Sequence, residues 1–569
     1  MQFKQTLVRL FFLLVPFTVF SQATTYLPQD ARENILLERF EIKAQTDSVL
    51  NFSKIKPFRS RYVISQLKKV WELDMYGGPS KQKNHRSPLT DVDYGNLLRA
   101  FENNSEYFSD SIFFKSKRPF LKTFYKSPSN FYEVHAKDFF LTINPVIQLY
   151  AGKESNHDES IFLNTRGISL RGNIANKLGF YAYAADNQER DPLYVQQYVT
   201  DRKAVPGAGF YKSFKGTGYD YFDARGYITL NALKYIDIQF GYDKNFIGNG
   251  FRSLFLSDFS APYLFLKLNT RIWKFNYQNL FMELQTMGQI PGDKLIPKKY
   301  AAMHHLDLGI TRWLNFGFFE GIIFGRKDHF EFGYLNPIIF YRSVEQQMGS
   351  FDNAVIGVDA KANVAHKFQF YGQLLLDEFN LTEMKKGEGW WGNKFGYQLG
   401  AKYIDVFNIK NLDLQIESNR IRPFTYSHSD SVANYTHYNQ PLAHPLGANL
   451  QEVVGIVRYQ PANRWFLQAK ALYYLQGKDT GNLNFGSNIF LPNSPLYRHA
   501  DYGFDVGDAI RGKTALASML VSYQWKPNFF IELNAVLRKE AETSISPAKN
   551  SSTIYFGIRW NVNRREFDF

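Results

Sequence analysis

From about Phe139 onward, apolar residues recur at every second position. In "IDIQFGY", Ile236, Ile238, Phe240 and Tyr242 share a face, and in "LDLQIE", Leu412, Leu414 and Ile416 do. In "WFLQAKALYY", Trp465, Leu467, Ala469, Ala471 and Tyr473 oppose Gln468 and Lys470. In "TIYFGIRWNV", Ile554, Phe556, Ile558, Trp560 and Val562 oppose Gly557, Arg559 and Asn561. Such alternation gives each strand one apolar and one polar face. It predicts eighteen strands, near 139–150, 161–174, 178–186, 220–231, 236–242, 262–273, 275–287, 304–311, 314–325, 354–363, 367–377, 396–406, 412–419, 450–459, 465–475, 513–525, 529–538 and 552–562.

The connections alternate too. Every second one is short, such as "ANK", "ALKY", "RW", "VAH", "QPANR" and "KPN". The others are mostly long: 187–219, 243–261, 288–303, 326–353, 378–395, 420–449, 476–512 and 539–551. Segregated loop lengths mark an all-β transmembrane barrel, with short turns in the periplasm and long loops outside. An even strand count puts both barrel ends on the periplasmic side. The chain ends in Phe569, as outer-membrane barrels often do, although Arg564, Arg565, Glu566 and Asp568 interrupt the alternation expected of a terminal strand.

Residues 22–135 carry a helical period instead. "RYVISQLKKVWEL" puts Val63, Ile64, Leu67, Val70 and Trp71 on one face. "TDVDYGNLLRAF" opens with Thr90 and has Asp93 three residues on, a capping-box variant. "ARENILLERF" is a third, weaker helix. A small α-helical periplasmic domain is expected here, a plug, cap or docking piece for a barrel over 136–569. Ahead of it, "MQFKQTLVRLFFLLVPFTVFSQA" has two basic residues, an apolar run from Leu10 to Phe20 and small residues before Gln22, so residues 1–21 read as a signal peptide.

Composition agrees with a barrel. Aromatic residues make up 17% of the 569-residue chain, yet mean hydropathy is −0.34. Only every second barrel residue faces lipid, which reconciles the two. Cysteine is absent, which excludes disulfides and thiolate chemistry. Net charge is +14, and an exported basic chain meets acidic glycans or lipid headgroups sooner than nucleic acid. No HExxH, Walker A, EF-hand or GxSxG signature occurs. Adjacent strand residues point to opposite faces, so His304 and His305 do not share a metal, and Asp377 and Glu378 are expected to be split likewise. No cofactor or metal is expected, and no enzyme.

The candidate chemistry lies in the loops. "GYDKNFIGNGFRSLFLSDFSAP" gathers Asp243, Lys244, Asn245, Asn249, Arg252, Ser257 and Asp258 between two strands, with glycines 248 and 250. Planar donors and acceptors suit sugar hydroxyls, and glycine allows close approach. The same groups serve equally to fasten the loop to the wall. A second patch, 333–362, offers Arg342, Glu345, Asp352 and Asn353, expected to face water or the lumen, with a short helix in "FYRSVEQQM". Trp390 and Trp391 in "GEGWWGNKFGYQ" suit either sugar stacking or the interfacial aromatic girdle.

"KNFIGNGFRSLFLSDFSAP", "NPIIFYRSV…FDNAVIGVD" and "KPFRSRYVI" resemble segments of Wzi-type capsule-assembly outer-membrane proteins, a family that includes gliding-motility-associated members. Where the family usually has Trp before the first glycine of its motif, this chain has Ile247. The resemblance implies an eighteen-stranded outer-membrane barrel with a periplasmic helical bundle and a lectin-like, non-enzymatic role toward surface polysaccharide. Motility or secretion machinery is the alternative partner, and a diffusion porin the third reading. Outer-membrane lipid surrounds the barrel in all three.

Overall fold

The structure, a computed structural model, describes residues 24–569 apart from 29–30, 46–51, 77–88, 109–113, 118, 156, 234, 287–295, 327–328, 339, 481–482 and 544. The expected leader lies outside the described residues. Eighteen antiparallel strands close into a barrel. They are β1 (Phe139–Glu154), β2 (Ser160–Ile174), β3 (Leu178–Arg190), β4 (Gly218–Leu233), β5 (Ile236–Asp243), β6 (Tyr263–Ile272), β7 (Phe275–Gln285), β8 (Lys298–Gly309) and β9 (Leu314–Phe324). The second half is β10 (Asn353–Val364), β11 (Phe368–Glu378), β12 (Lys394–Tyr403), β13 (Leu412–Ile421), β14 (Leu450–Tyr459), β15 (Trp465–Lys478), β16 (Ile510–Lys526), β17 (Phe529–Glu542) and β18 (Ile545–Trp560). Each pairs with the next, and β18 pairs back with β1.

Every expected strand has its counterpart, but two regions differ from the expected pattern. β8 starts at Lys298 rather than near 304, because the polar Lys299 faces inward and donates to Asn434 O at 2.8 Å. The expected loop 539–551 is mostly strand: β17 reaches Glu542 and β18 begins at Ile545. That hairpin is held partly by charge, with Lys478 on Glu540 and Glu542, so it carries no apolar alternation to read.

The two faces obey the alternation. Outward residues such as Leu399, Leu537 and Phe556 stay 64%, 60% and 59% exposed, whereas the inward Gln398, Glu417 and Lys361 are buried. Of the eight Trp, five (Trp273, Trp313, Trp465, Trp525 and Trp560) lie at the short-turn rim, the belt expected where strands meet the headgroup layer. Among the described residues no helix is long and apolar enough to cross a membrane.

Helices α1 (Arg32–Ala44), α2 (Ser60–Tyr76) and α3 (Asp91–Asn103) share a core of Leu36, Phe40, Ile64, Leu67, Leu97 and Phe101. The Thr90–Asp93 capping box starts α3 as expected. The helices cover the short-turn mouth. Arg39 pairs with Asp405 and Asp413, and Asn96 donates to Gln460 at 2.8 Å. Residues 52–59, ahead of α2, enter the lumen. Lys54, 1% exposed, lies between Asp307 (3.2 Å) and Asp359 of the wall.

Three further segments fill the lumen. Loop 244–262 enters from the long-loop end and meets the first: Ile55–Lys56 pairs as a two-residue strand with Phe246–Ile247. Leu254, Phe255 and Leu256 of this loop pack with Tyr426, Tyr435 and Leu442 of loop 422–449, a hydrophobic core inside the barrel. Residues 561–569 turn back from the short-turn end, where Arg564 binds Glu532 and Lys470 binds Glu566 and Asp568. Phe569 therefore does not lie in the wall; it packs on Tyr194, Tyr198 and Phe259. The charged residues that break the alternation are the ones that anchor this tail to inward carboxylates and lysines.

Candidate functional site

Loop 244–262 is largely buried, and most of its polar groups are engaged by the protein. Asn245 Oδ1 accepts from Lys267 at 3.0 Å, and Asn249 Nδ2 donates to Ser53 Oγ at 3.3 Å. Arg252 clasps Glu452 at 2.8 Å, while its backbone N–H and that of Phe251 donate to Glu417 at 3.0 and 2.7 Å. Burial alone would weaken the Arg252 base; the Glu452 carboxylate outweighs this and raises it. Ser257 Oγ donates to Leu442 O at 3.3 Å. Gly248 has φ +152°, and a Cβ there would sit 2.9 Å from Gln373 Nε2; at Gly250 it would sit 2.5 Å from Glu417 Oε2. The close approach that these glycines permit is to the barrel's own side chains. Asp243, Lys244 and Asp258 reach a lumenal cavity of about 650 Å³, where Lys244 Nζ donates to Asp258 O at 3.0 Å.

The second patch lies elsewhere. Its helix α4 (Tyr341–Met348) packs on the outward face of β7–β9 rather than in the lumen. Tyr341 and Val344 cover Phe281, Ala302 and Ile322 there. Arg342 is exposed and pairs with Glu345 at 2.7 Å. Asp352 is clasped by Arg326 at 2.7 Å and accepts from Tyr334 at 2.6 Å. Only Asn353 points inward, donating to Ala433 O at 2.9 Å. Of this patch, Glu345 and Asp352 are buried under the loop, facing neither water nor lumen.

The reason for this seat is a polar row that periodicity does not reveal. Asn279, His304 and Glu320 are cross-strand neighbours, at mid-height on the outward wall. Facing hydrocarbon they would cost several kcal/mol each in order of magnitude; under the loop Glu320 is hydrogen-bonded, while Asn279 Oδ1 and His304 Nε2 are shielded without a partner among the described residues. Tyr341 stacks on His304 with centroids 4.0 Å apart, and Arg342 N–H donates to Glu320 at 3.3 Å. His305 points the other way, to Asp359 at 2.7 Å, so the histidines are split as expected. Asp377 and Glu378 are not split. A register shift between Leu376 and Glu378 lets both carboxylates reach Lys394, at 3.3 and 3.0 Å. Among the described residues no cluster of His, Cys, Asp and Glu could hold a metal.

Trp390 and Trp391 stand at the long-loop rim, away from the five belt tryptophans. Their rings lie 5.9 Å apart, and the Arg498 guanidinium stacks 3.9 Å over Trp391. Trp391 N–H donates to Asp501 O at 3.0 Å, and Gly503 and Phe504 N–H donate to Glu388 O and Gly389 O. Loop 379–393 is thereby zipped to loop 479–509. Phe424 packs beneath, edge-on to Trp391 and Phe504. Tyr497 and Tyr502 stay exposed beside the pair. Sequence reasoning found the tryptophans but missed these partners, because residues 391 and 498 meet only through the loop–loop pairing.

The family model described as "Capsule assembly protein Wzi" matches residues 149–545. No curated protein matches the chain by sequence. Among solved structures, the chain is similar to the outer membrane protein Wzi of Escherichia coli, described as a carbohydrate-binding β-barrel involved in group 1 capsule assembly. The two share 13% identity over 95% of this chain and 99% of that one, with a TM-score of 0.55. OprD of Pseudomonas aeruginosa is 9% identical over 74% of this chain and 94% of its own, with a TM-score of 0.41. OccAB2 of Acinetobacter baumannii is 8% identical over 74% and 98%, with a TM-score of 0.40.

Proposed function

The chain belongs to the capsule assembly protein Wzi family, and from that premise we propose that it holds surface polysaccharide on its long-loop rim without catalysing a reaction. The observation that carries this reading is the aromatic platform of Trp390 and Trp391, braced by Arg498 and flanked by exposed Tyr497 and Tyr502. Aromatic faces bind the apolar faces of sugar rings by burying a large apolar area. The long loops face outward and the helical domain lies in the periplasm, by the loop-length asymmetry of outer-membrane barrels. A lumen filled from both ends favours retention over passage, which argues against the diffusion-porin reading. A repeating polymer offers many copies of the bound unit, so modest affinity per sugar still gives strong retention.

The test is Trp390→Ala with Trp391→Ala in cells that lack the native copy. Polysaccharide is expected to move several-fold from the cell surface to the medium, with barrel abundance unchanged. Retention equal to the native chain refutes the reading.

A motility or secretion partner is the second reading, favoured by a different place. Phe332, Ile338, Phe340 and Phe351 on loop 325–352 are 71–89% exposed. A partner protein in the membrane would cover them. Normal polysaccharide with defective spreading after deletion of the gene would select it.

A further inference from the structure

The lumenal cavity holds three guanidiniums whose nearest carboxylates, Glu33 and Glu38 of the same lining among them, stand too far off for an ion pair. The other arginines that line the cavity are matched: Arg252 with Glu452, Arg225 with Asp223, Arg171 with Glu106, Arg565 with Glu189, and Arg559 and Arg564 with Glu532. Arg32, Arg99 and Arg458 line the same cavity, yet none has a carboxylate within 4 Å among the described residues. Their hydrogen bonds go to neutral oxygens: Arg32 to Ser522 Oγ at 3.1 Å, Arg99 to Asn96 Oδ1 at 2.5 Å, and Arg458 to Gln415 Oε1 at 3.2 Å. Arg32 Nη1 and Arg458 Nε are buried donors with no partner among the described residues.

The three lie in one sector. Arg32 opens α1 and sits 4.4 Å over Phe530 of β17 and 5.0 Å over Phe466 of β15. Arg458 is near the end of β14, and Arg99 is on α3, beside the Asn96–Gln460 contact at the β14–β15 turn. Arg559 sits 4.3 Å over the same Phe530 ring. Burial, then the Arg559 and Arg564 charges, push the Arg32 guanidinium down to about 9; the Glu532 carboxylate offsets only part of this. Burial also lowers Arg99, although the Glu33 and Glu102 carboxylates oppose it. Carboxylates that act only from a distance compensate these cations in part, and an anion entering the cavity would complete the compensation.

The rest of the lining narrows the anion's class. Asn103, Gln468, Gln524, Asn528 and Asn561 line the cavity beside the guanidiniums; an amide has two N–H donors and two acceptor lone pairs, so those bonded to Glu33, Glu566 and Pro145 keep capacity for a ligand. A volume of about 650 Å³ is within the range of small-molecule sites. Amides in that number match a polyhydroxylated body, and the guanidinium fork matches a carboxylate. We propose that the sector of the cavity between α1, α3 and β14–β18 binds a short acidic saccharide, its carboxylates held by Arg32, Arg99 and Arg458. The choice of a saccharide over other carboxylates rests on the glycan reading of the rim; the site itself is separate from the rim.

The experiment is titration calorimetry on the full chain in detergent at low salt, with trigalacturonate, maltotriose and inorganic phosphate as probes. Trigalacturonate is expected to bind, and to bind at least tenfold more weakly to the Arg32→Gln, Arg458→Gln variant. Maltotriose and phosphate are expected to bind much more weakly to both. The variant's melting temperature is expected to equal or exceed that of the native chain, because it loses unpaired cations; a merely structural pair of arginines would lower it. Equal trigalacturonate affinity in the variant overturns the site, and phosphate binding as tightly as trigalacturonate overturns the saccharide assignment. Trp390→Ala with Trp391→Ala is expected to keep trigalacturonate binding. Its loss there would move the ligand to the rim and overturn the lumenal site while leaving the rim reading intact.

Discussion

Lys54→Met is the sharpest perturbation of this architecture. Lys54 is the deepest cation of the segment that enters from the helical side, and it faces both Asp307 and Asp359. Burial alone would weaken its base, and the two carboxylates more than reverse that. Removing the ammonium leaves two wall carboxylates without their shared counter-charge, although His305 still serves Asp359. Breaking a buried pair by removing one partner costs about 3–5 kcal/mol. At about 1.4 kcal/mol per tenfold, the equilibrium between seated and withdrawn segment shifts by roughly a hundred- to several-thousand-fold. The Ile55–Ile247 pairing then loses its neighbouring anchor. Two assays read this directly: ion conductance in planar bilayers and limited proteolysis of the helical domain. The variant is expected to show openings that the native chain lacks, and faster cleavage before the first barrel strand. Adding Asp307→Asn is expected to recover part of the loss, since one orphaned charge goes. A variant as quiet and as protected as the native chain would refute the claim that charge holds the segment in place.

Three further outcomes follow from the same contacts. Burial would raise the Glu38 carboxyl, but Lys402, at 3.1 Å, and Lys56 hold it down to about 2. Its folded value is depressed, so its contribution is fully present above about 4.5 and lost as pH falls toward 2; helical-domain protection from protease should be flat from pH 7 to 5 and decline below. Tyr341→Ala uncovers Asn279, His304 and Glu320 on the outward wall and removes a fully buried ring, for a loss of about 3–5 kcal/mol in urea unfolding. Adding Glu320→Leu should recover part of it, and an unchanged midpoint in Tyr341→Ala would show that the loop does not sit on the wall.

The strand count and the sidedness of the loops were legible because lipid imposes a strict period of two on the residues that touch it. Legibility stopped where that constraint stopped. The hairpin at the end of β17 rises on charged pairs, so its residues read as loop. The tail after Trp560 is held by Arg564, Arg565 and Lys470, whose partners come from strands far apart in sequence. The row Asn279, His304, Glu320 left a faint trace, one polar residue at an outward position of each strand, but nothing near it in sequence names Tyr341 as its cover. Among the candidate residues, Arg252 and Asn249 read as hydrogen-bonding groups and are so, though their partners Glu452 and Ser53 lie about two hundred positions away. The tryptophan pair kept two readings because a girdle and a platform need the same residue type, and girdles form at both interfaces.

The short pairing of Ile55–Lys56 with Phe246–Ile247 joins what would otherwise be two independent stoppers. One end of that joint continues into α1 and α2; the other continues, through Phe255 and Tyr435, into the stack of loops under the rim. On the proposed reading, tension on a polymer held outside would pass along a continuous path of backbone and packed rings to the inner side of the wall, which would make the molecule a tether under load as well as an adhesive surface.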